Sequence, residues 1–324
     1  MGGLRRRPLL LGAAALAAAA SARRPAAQGA PWPSRPVEVV VPYAAGGPTD
    51  RYAREVGQHL SASWGQPVVV GNKPGGAAAV GAAAVANAPP DGCTLLLGSF
   101  GIVTNRVLFD RLPYDPEALA PLCRLALGGG ILFVHPDVPA RTPEELVAWG
   151  KANPGGLRFG SSGIGSTPHI AAELFAWRAG LEITHVPYRG TAPALTDLLA
   201  GHIDAMVDSA TTIRYAREGR LRAIASATPE RVRQAPEVPT MREHGLDVVC
   251  RTFYGFFAPA ATPAPLQGRI AGDMLDVARS EPVRAMFLED GLEPQPEGPE
   301  DFRRFLGDQL ALWSVVLRER NIKF

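Results

Sequence analysis

The sequence predicts an α/β protein of two lobes, each a mostly parallel sheet flanked by helices. Three observations carry this. Short β-branched runs alternate with amphipathic helical stretches, the pattern of parallel sheets with crossover helices. The alternation occurs in two series, the second beginning near Ile131. About 300 residues remain beyond the N-terminal leader, enough for two hydrophobic cores.

In the first series, Val37–Val41 reads as a strand, followed by a helix from about Thr49 to Leu60 and a strand at Val68–Val70. An alanine-rich helix over Ala77–Asn87 stops before Pro89-Pro90-Asp91-Gly92, and Thr94–Leu97 is the next strand. The second series opens with strand Ile131–Val134. Thr142-Pro143-Glu144-Glu145 then has the form of a capping box, with Thr142 as N-cap, Pro143 first in the helix and Glu145 two places on. Strand Leu157–Gly160 leads to a helix from Pro168. Strand Ile183–Val186 precedes a helix capped by Thr191 and ended at Gly201, and strand Ile203–Val207 follows. Two long helices, starting at Thr262-Pro263 and Gly298-Pro299, close the chain. Crossing strands near residues 131 and 253 divide it into lobe one, residues 30–131 plus 254–324, and lobe two, residues 132–253.

Residues 1–27 read as an address. Arg5-Arg6-Arg7 precedes the apolar run Leu9–Ala20, too short to span a bilayer, with small residues beyond it. This is the form of a secretory signal peptide, and the Arg6-Arg7 pair also suits the twin-arginine route. The whole chain carries 33 basic and 31 acidic residues. Five of the arginines lie in the leader and no acids do, so the mature chain has 28 against 31, a net of −3. Nucleic-acid binding has no electrostatic basis there. Cys93, Cys123 and Cys250 are widely spaced, and buried thiols are the expected reading. The six histidines form no metal-ligand spacing, so neither a metal nor a cofactor is expected.

One arrangement recurs in both lobes: a strand, a glycine-rich polar turn, then a helix N-terminus. Residues 41–50 (ValProTyrAlaAlaGlyGlyProThrAsp) and 160–169 (GlySerSerGlyIleGlySerThrProHis) are the two cases. Helix N-termini present unpaired N–H groups and a positive dipole end, so two of them facing one cleft can hold a small anion without an arginine. Ser162, Ser166 and Thr167 add hydroxyl donors. Asp50 is first a helix-start residue and second a ligand contact, and His169 either meets a ligand or caps its helix. Ordinary βα turns would use the same residue types, but two such loops at matching places favour ligand capture. Asp204 and Asp208 share a strand face, suited to backbone amides or a ligand's ammonium group. Arg189 either meets a carboxylate or stays solvated.

Enzymatic readings are weaker. The order GlySerSerGly is not a nucleophile elbow, and Gly163–Pro168 lacks the last glycine of a dinucleotide fingerprint. An exported α/β hydrolase would have to rest on Ser162 with His169.

These stretches resemble the substrate-binding proteins of tripartite tricarboxylate transporters, the Bug family, over nearly the whole mature length. The matching segments are 35–50, 72–75 (AsnLysProGly), 90–98, 112–116 (LeuProTyrAspPro), 151–157, 160–169, 185–190 (HisValProTyrArgGly), 192–201 and 236–240. The resemblance implies a periplasmic-binding-protein-like fold whose cleft closes on a small carboxylate, handed on to membrane permease subunits. It implies that Tyr43, Ala45, Gly46 and Gly47 face Ser162, Gly165, Ser166, Thr167 and His169 around one carboxylate, partly through ordered water. Ser99, Tyr188 and Asp208 would complete the pocket. A monomer in the periplasm is the expectation, and a sensor that shows its closed form to a signalling receptor is the alternative role. Tyr43 and Ala45 stand where the family usually has phenylalanine and proline. Phe253-Tyr254 stands where it often has tryptophan, and Cys93 replaces a common tyrosine.

Overall fold

The computed structural model describes residues 32–319, so the expected leader lies outside the described residues. The chain runs β1 (Val37–Val41), α1 (Pro48–Trp64), β2 (Val68–Asn72), α2 (Ala79–Ala86), β3 (Thr94–Gly98), α3 (Gly101–Leu108), β4 (Leu119–Gly129). It continues β5 (Ile131–Val134), α4 (Pro143–Ala152), β6 (Arg158–Ser161), α5 (Thr167–Ala179), β7 (Thr184–Pro187), α6 (Thr191–Leu199), β8 (Ala205–Asp208), α7 (Ile213–Arg217), β9 (Arg222–Ser226). It ends β10 (Arg251–Pro259), α8 (Ala264–Arg279), α9 (Glu281–Glu289), β11 (Glu293–Glu297), α10 (Pro299–Glu319).

Two sheets organise these elements. One has the order β11-β4-β10-β3-β1-β2 and the other β7-β6-β8-β5-β9. The two-sheet α/β architecture agrees with the sequence; the mostly parallel sheets do not. β1 is parallel to β2 and β3, and β6 to β7 and β8, but the other five pairings are antiparallel. The reason is the double crossing. The chain leaves the first sheet along β4 and returns along β10, so these neighbours run in opposite senses. β5 begins at the crossing where β8 ends, so that pair is antiparallel too.

Local sequence explains the elements that place the site. β1 is valine-rich and almost wholly buried, as a central strand covered on both faces should be. α1 starts with Pro48 in its first turn and stops at Gly65 in the left-handed region. Its buried residues Tyr52, Ala53, Val56, Leu60 and Trp64 recur at helical spacing. At α4 the Glu145 N–H donates to Thr142 Oγ1 at 3.2 Å, while the Glu145 carboxylate accepts from Arg141 N–H at 2.7 Å rather than from the cap residue itself. Thr191 is the first helical residue of α6, and Gly190 occupies the cap position.

The described residues 254–319 pack on both sheets. Phe302 of α10 packs with Phe253 and Phe257 of the first sheet. About three to four turns later Trp313 and Leu317 join the core of the second sheet, Trp313 lying edge-on to Phe100 with centroids 5.2 Å apart. The three cysteines are free and buried.

Candidate functional site

A cavity of about 690 Å³, counting its open mouth, lies where the carboxyl ends of the strands of both sheets meet. The turn after β1 contributes Tyr43, Ala44 and Gly47, and the end of β3 contributes Ser99. From the second sheet come Ser162 and Ser166 after β6, then Asp208 and Ser209 at the end of β8. The first turns of α1, α5 and α6 all reach the wall, through Pro48-Thr49, Thr167-Pro168 and Thr191. Among the described residues no lysine, arginine or histidine lines it, and the charged ones that do are Asp50 and Asp208. An outer cleft lined by Arg51, Arg214 and Asp290 shares Gly47, Thr191, Asp208 and Ser209 with the cavity.

Of the residues expected from sequence, Tyr43, Gly47, Asp50, Ser99, Ser162, Ser166, Thr167 and Asp208 lie on this wall. Ala45, Gly46, Gly165, His169 and Tyr188 do not, although Ala44 does. Their contacts show what they do instead. Gly46 N–H donates to Asp50 at 3.0 Å, and Asp50 also accepts from Arg54 and Asn72, so this carboxylate pins the first loop. Burial raises the pKa of Asp50, but these hydrogen bonds outweigh it and hold the carboxyl below its ordinary value. Tyr188 donates its hydroxyl to Asp197 at 2.6 Å.

The second loop is pinned by an imidazole. Gly165 N–H donates to His169 Nδ1 at 3.0 Å, and His169 Nε2 faces Glu173 at 3.8 Å. His169 therefore does not pair with Ser162, and the hydrolase arrangement is not formed. Behind it His185 stacks on His169 and shares a 2.7 Å hydrogen bond with Ser161 Oγ. Burial pushes His169 down to about 3, with His185 adding to the effect, and burial pushes His185 down to about 4. Both rings are neutral near pH 7, which leaves His169 Nδ1 free to accept.

The two loops touch elements of the opposite sheet's body. Ala44 N–H donates to the Arg189 carbonyl at 2.8 Å, so Arg189 contributes its backbone to this contact. Thr104 Oγ1 donates to the Gly165 carbonyl at 2.7 Å. Gly165 sits at φ +74°, and a Cβ there would fall 2.4 Å from Leu108 Cδ1. Only glycine suits both the backbone and the space.

Asp208, 6% exposed, lies on the cavity wall and also borders the outer cleft. It accepts from Ser209 N–H at 2.8 Å and Thr212 Oγ1 at 2.7 Å. Burial nevertheless raises its pKa to about 6. Sequence reasoning missed the wall built by the crossing strands: Gly129, Gly130, Thr252 and Tyr254. The run Gly128-Gly129-Gly130 was the available signal. A Cβ on Gly130 would lie 2.3 Å from Val207 Cγ1, so the crossing passes tightly against β8.

Residues 52–322 match the family described as the tripartite tricarboxylate transporter family receptor. The chain belongs to that family. A relative from Pseudomonas sp., a UPF0065 protein in the tcbD-tcbE intergenic region, is 35% identical over 297 residues, 90% of this chain and 88% of its own. The periplasmic binding protein BugD superposes with a TM-score of 0.86 at 29% identity, covering 90% of this chain and 99% of that one. Rpa4515 from R. palustris, solved with adipate, gives 0.84 at 31% identity over 90% and 99% of the two chains. The family is one of solute-binding receptors. Among the described residues no group of three or more His, Cys, Asp or Glu could hold a metal, and no helix is long and apolar enough to cross a membrane.

Proposed function

We propose that this family member is a periplasmic receptor that captures one small carboxylate between its lobes and hands it to the permease subunits of a tripartite transporter. The observation that carries this is the convergence of the first turns of α1, α5 and α6 on one cavity without a cation. Their unpaired N–H groups and dipoles, with the hydroxyls of Ser162, Ser166 and Thr167, supply an anion site in a partly buried setting. There each helix end is worth up to ~2 kcal/mol. The sequence between residues 1 and 27 supports export, the adipate bound by Rpa4515 supports the ligand class, and lobes divided at the crossing strands support closure on a ligand.

The test is a thermal-shift titration of ligand-stripped mature protein with carboxylates and their neutral amides. A carboxylate at 100 times its dissociation constant adds about 2.7 kcal/mol of stability, a visible shift. Amides that stabilise as well as their acids would refute the carboxylate reading.

A further inference from the structure

At the end formed by Tyr254 and Asp208 this cavity is chemically unlike an anion site. Tyr254 is 7% exposed and on the wall, and its ring is held edge-on to Tyr52 with centroids 4.7 Å apart. Its hydroxyl nonetheless has no hydrogen-bond partner among the described residues. Asp208, 6% exposed on the same wall, has one protein donor on each carboxylate oxygen. An ionised carboxylate offers about four acceptor positions, so about two remain open. No cation pairs with it among the described residues. The two groups influence each other, since Asp208 adds to the burial that drives the Tyr254 phenol upward. A buried carboxylate without a counter-charge is costly until something donates to it.

We propose that Tyr254 and Asp208 form a second recognition point, which reads a hydrogen-bond donor, amino or hydroxyl, carried by the bound carboxylate. This rests on the carboxylate reading above. The ligand's acid group sits at the helix ends, and its donor sits against Asp208. The Tyr254 hydroxyl accepts from that donor or fixes its oxygen. A second bare carboxylate at this end would set two anions together in a buried space, whereas a donor relieves the unpaired charge. Tyr254 is thus a specificity-determining residue, and this chain favours amino or hydroxy acids over unsubstituted ones such as adipate.

The test is calorimetric titration of ligand-stripped protein with three matched series. These are succinate, malate and aspartate; adipate, 2-hydroxyadipate and 2-aminoadipate; and phenylpropionate, phenyllactate and phenylalanine. In at least one series the hydroxy or amino acid should bind tenfold or more tightly than the unsubstituted acid, and which one does so identifies the donor. Asp208→Asn and Tyr254→Phe, shown folded by circular dichroism, should each lower that ratio at least fivefold. Equal affinities within every series would overturn the inference while leaving the carboxylate reading intact. So would variants that weaken all members by one common factor. No binding by any of the nine acids would overturn the carboxylate reading, and this inference with it.

Discussion

The imidazoles of His169 and His185 stack with centroids 3.8 Å apart and planes 20° from parallel, and neither can take up a proton easily. Through Gly165 N–H and Ser161 Oγ the pair fixes the shape of the glycine loop that brings the first turn of α5 to the cavity.

Acid should therefore undo the fold through this pair. Both folded pKa values lie below the unfolded value of about 6.5, so the stabilisation is complete above pH 6.5 and is lost as pH falls towards 4 and 3. His169 alone should cost up to about 1.4 kcal/mol per pH unit across that window. Asp208 acts in the opposite sense. Its folded pKa is raised to about 6, so it favours the folded state as pH drops from 6 towards 4. Urea titrations from pH 7.5 to 4.5 should show a steep decline in the wild type and a flatter one in His169→Gln.

Glycines in the two loops should differ in tolerance. Gly47 has φ −83°, and a Cβ there would meet nothing closer than 3.8 Å, so Gly47→Ala should keep affinity within about fivefold. Gly165→Ala combines a left-handed backbone, costing roughly 1–2 kcal/mol, with the approach to Leu108 and Thr104. Its affinity for the best carboxylate should fall at least about tenfold, about 1.4 kcal/mol, by isothermal titration.

Tyr43→Phe removes the 2.9 Å contact between the Tyr43 hydroxyl and Ser99 Oγ. The loss of one hydrogen bond should lower stability by about 0.5–1.5 kcal/mol, measured by chemical denaturation. The freed Ser99 hydroxyl remains on the wall, and the Kd should change by less than about fivefold.

Trp313→Ala should cost about 3–5 kcal/mol in the same denaturation experiment, because Trp313 is 3% exposed in the second core. A loss below about 1 kcal/mol would show that the end of α10 is not seated there.

Much of this was legible in sequence because it is local. β1 and β5 match their runs residue for residue, and the start of α4 follows from Thr142 and Pro143. The loops around Gly47 and Ser162 could be paired because each follows a strand and opens a helix. What escaped was set by tertiary packing. Leu119–Gly129 contains proline, glycine and a buried arginine, and it becomes a strand because β10 and β11 flank it. Arg124, 2% exposed, is accommodated by Gln295, Glu297 and the ring of Phe305, none of them near in sequence. Tyr254 faces the cavity for the same reason, since the β10–β4 pairing and the Tyr52 ring decide where it points. His169 has the residue type of a ligand contact, and only its bond to Gly165 shows it to be a brace.

The seating of α10 in both cores bears on whether the chain can be divided. The helix is a rod of about 30 Å by its residue count, rooted at Phe302 in one core and at Trp313 and Leu317 in the other. A fragment cut where the strands cross would leave an apolar socket empty beside Phe100's ring, and its complement would carry a bare tryptophan. In the proposed closure on a ligand, the same rod acts as a strut. Opening must flex it or draw its end from the socket, so the ease of opening is set partly by a helix that never touches the cavity.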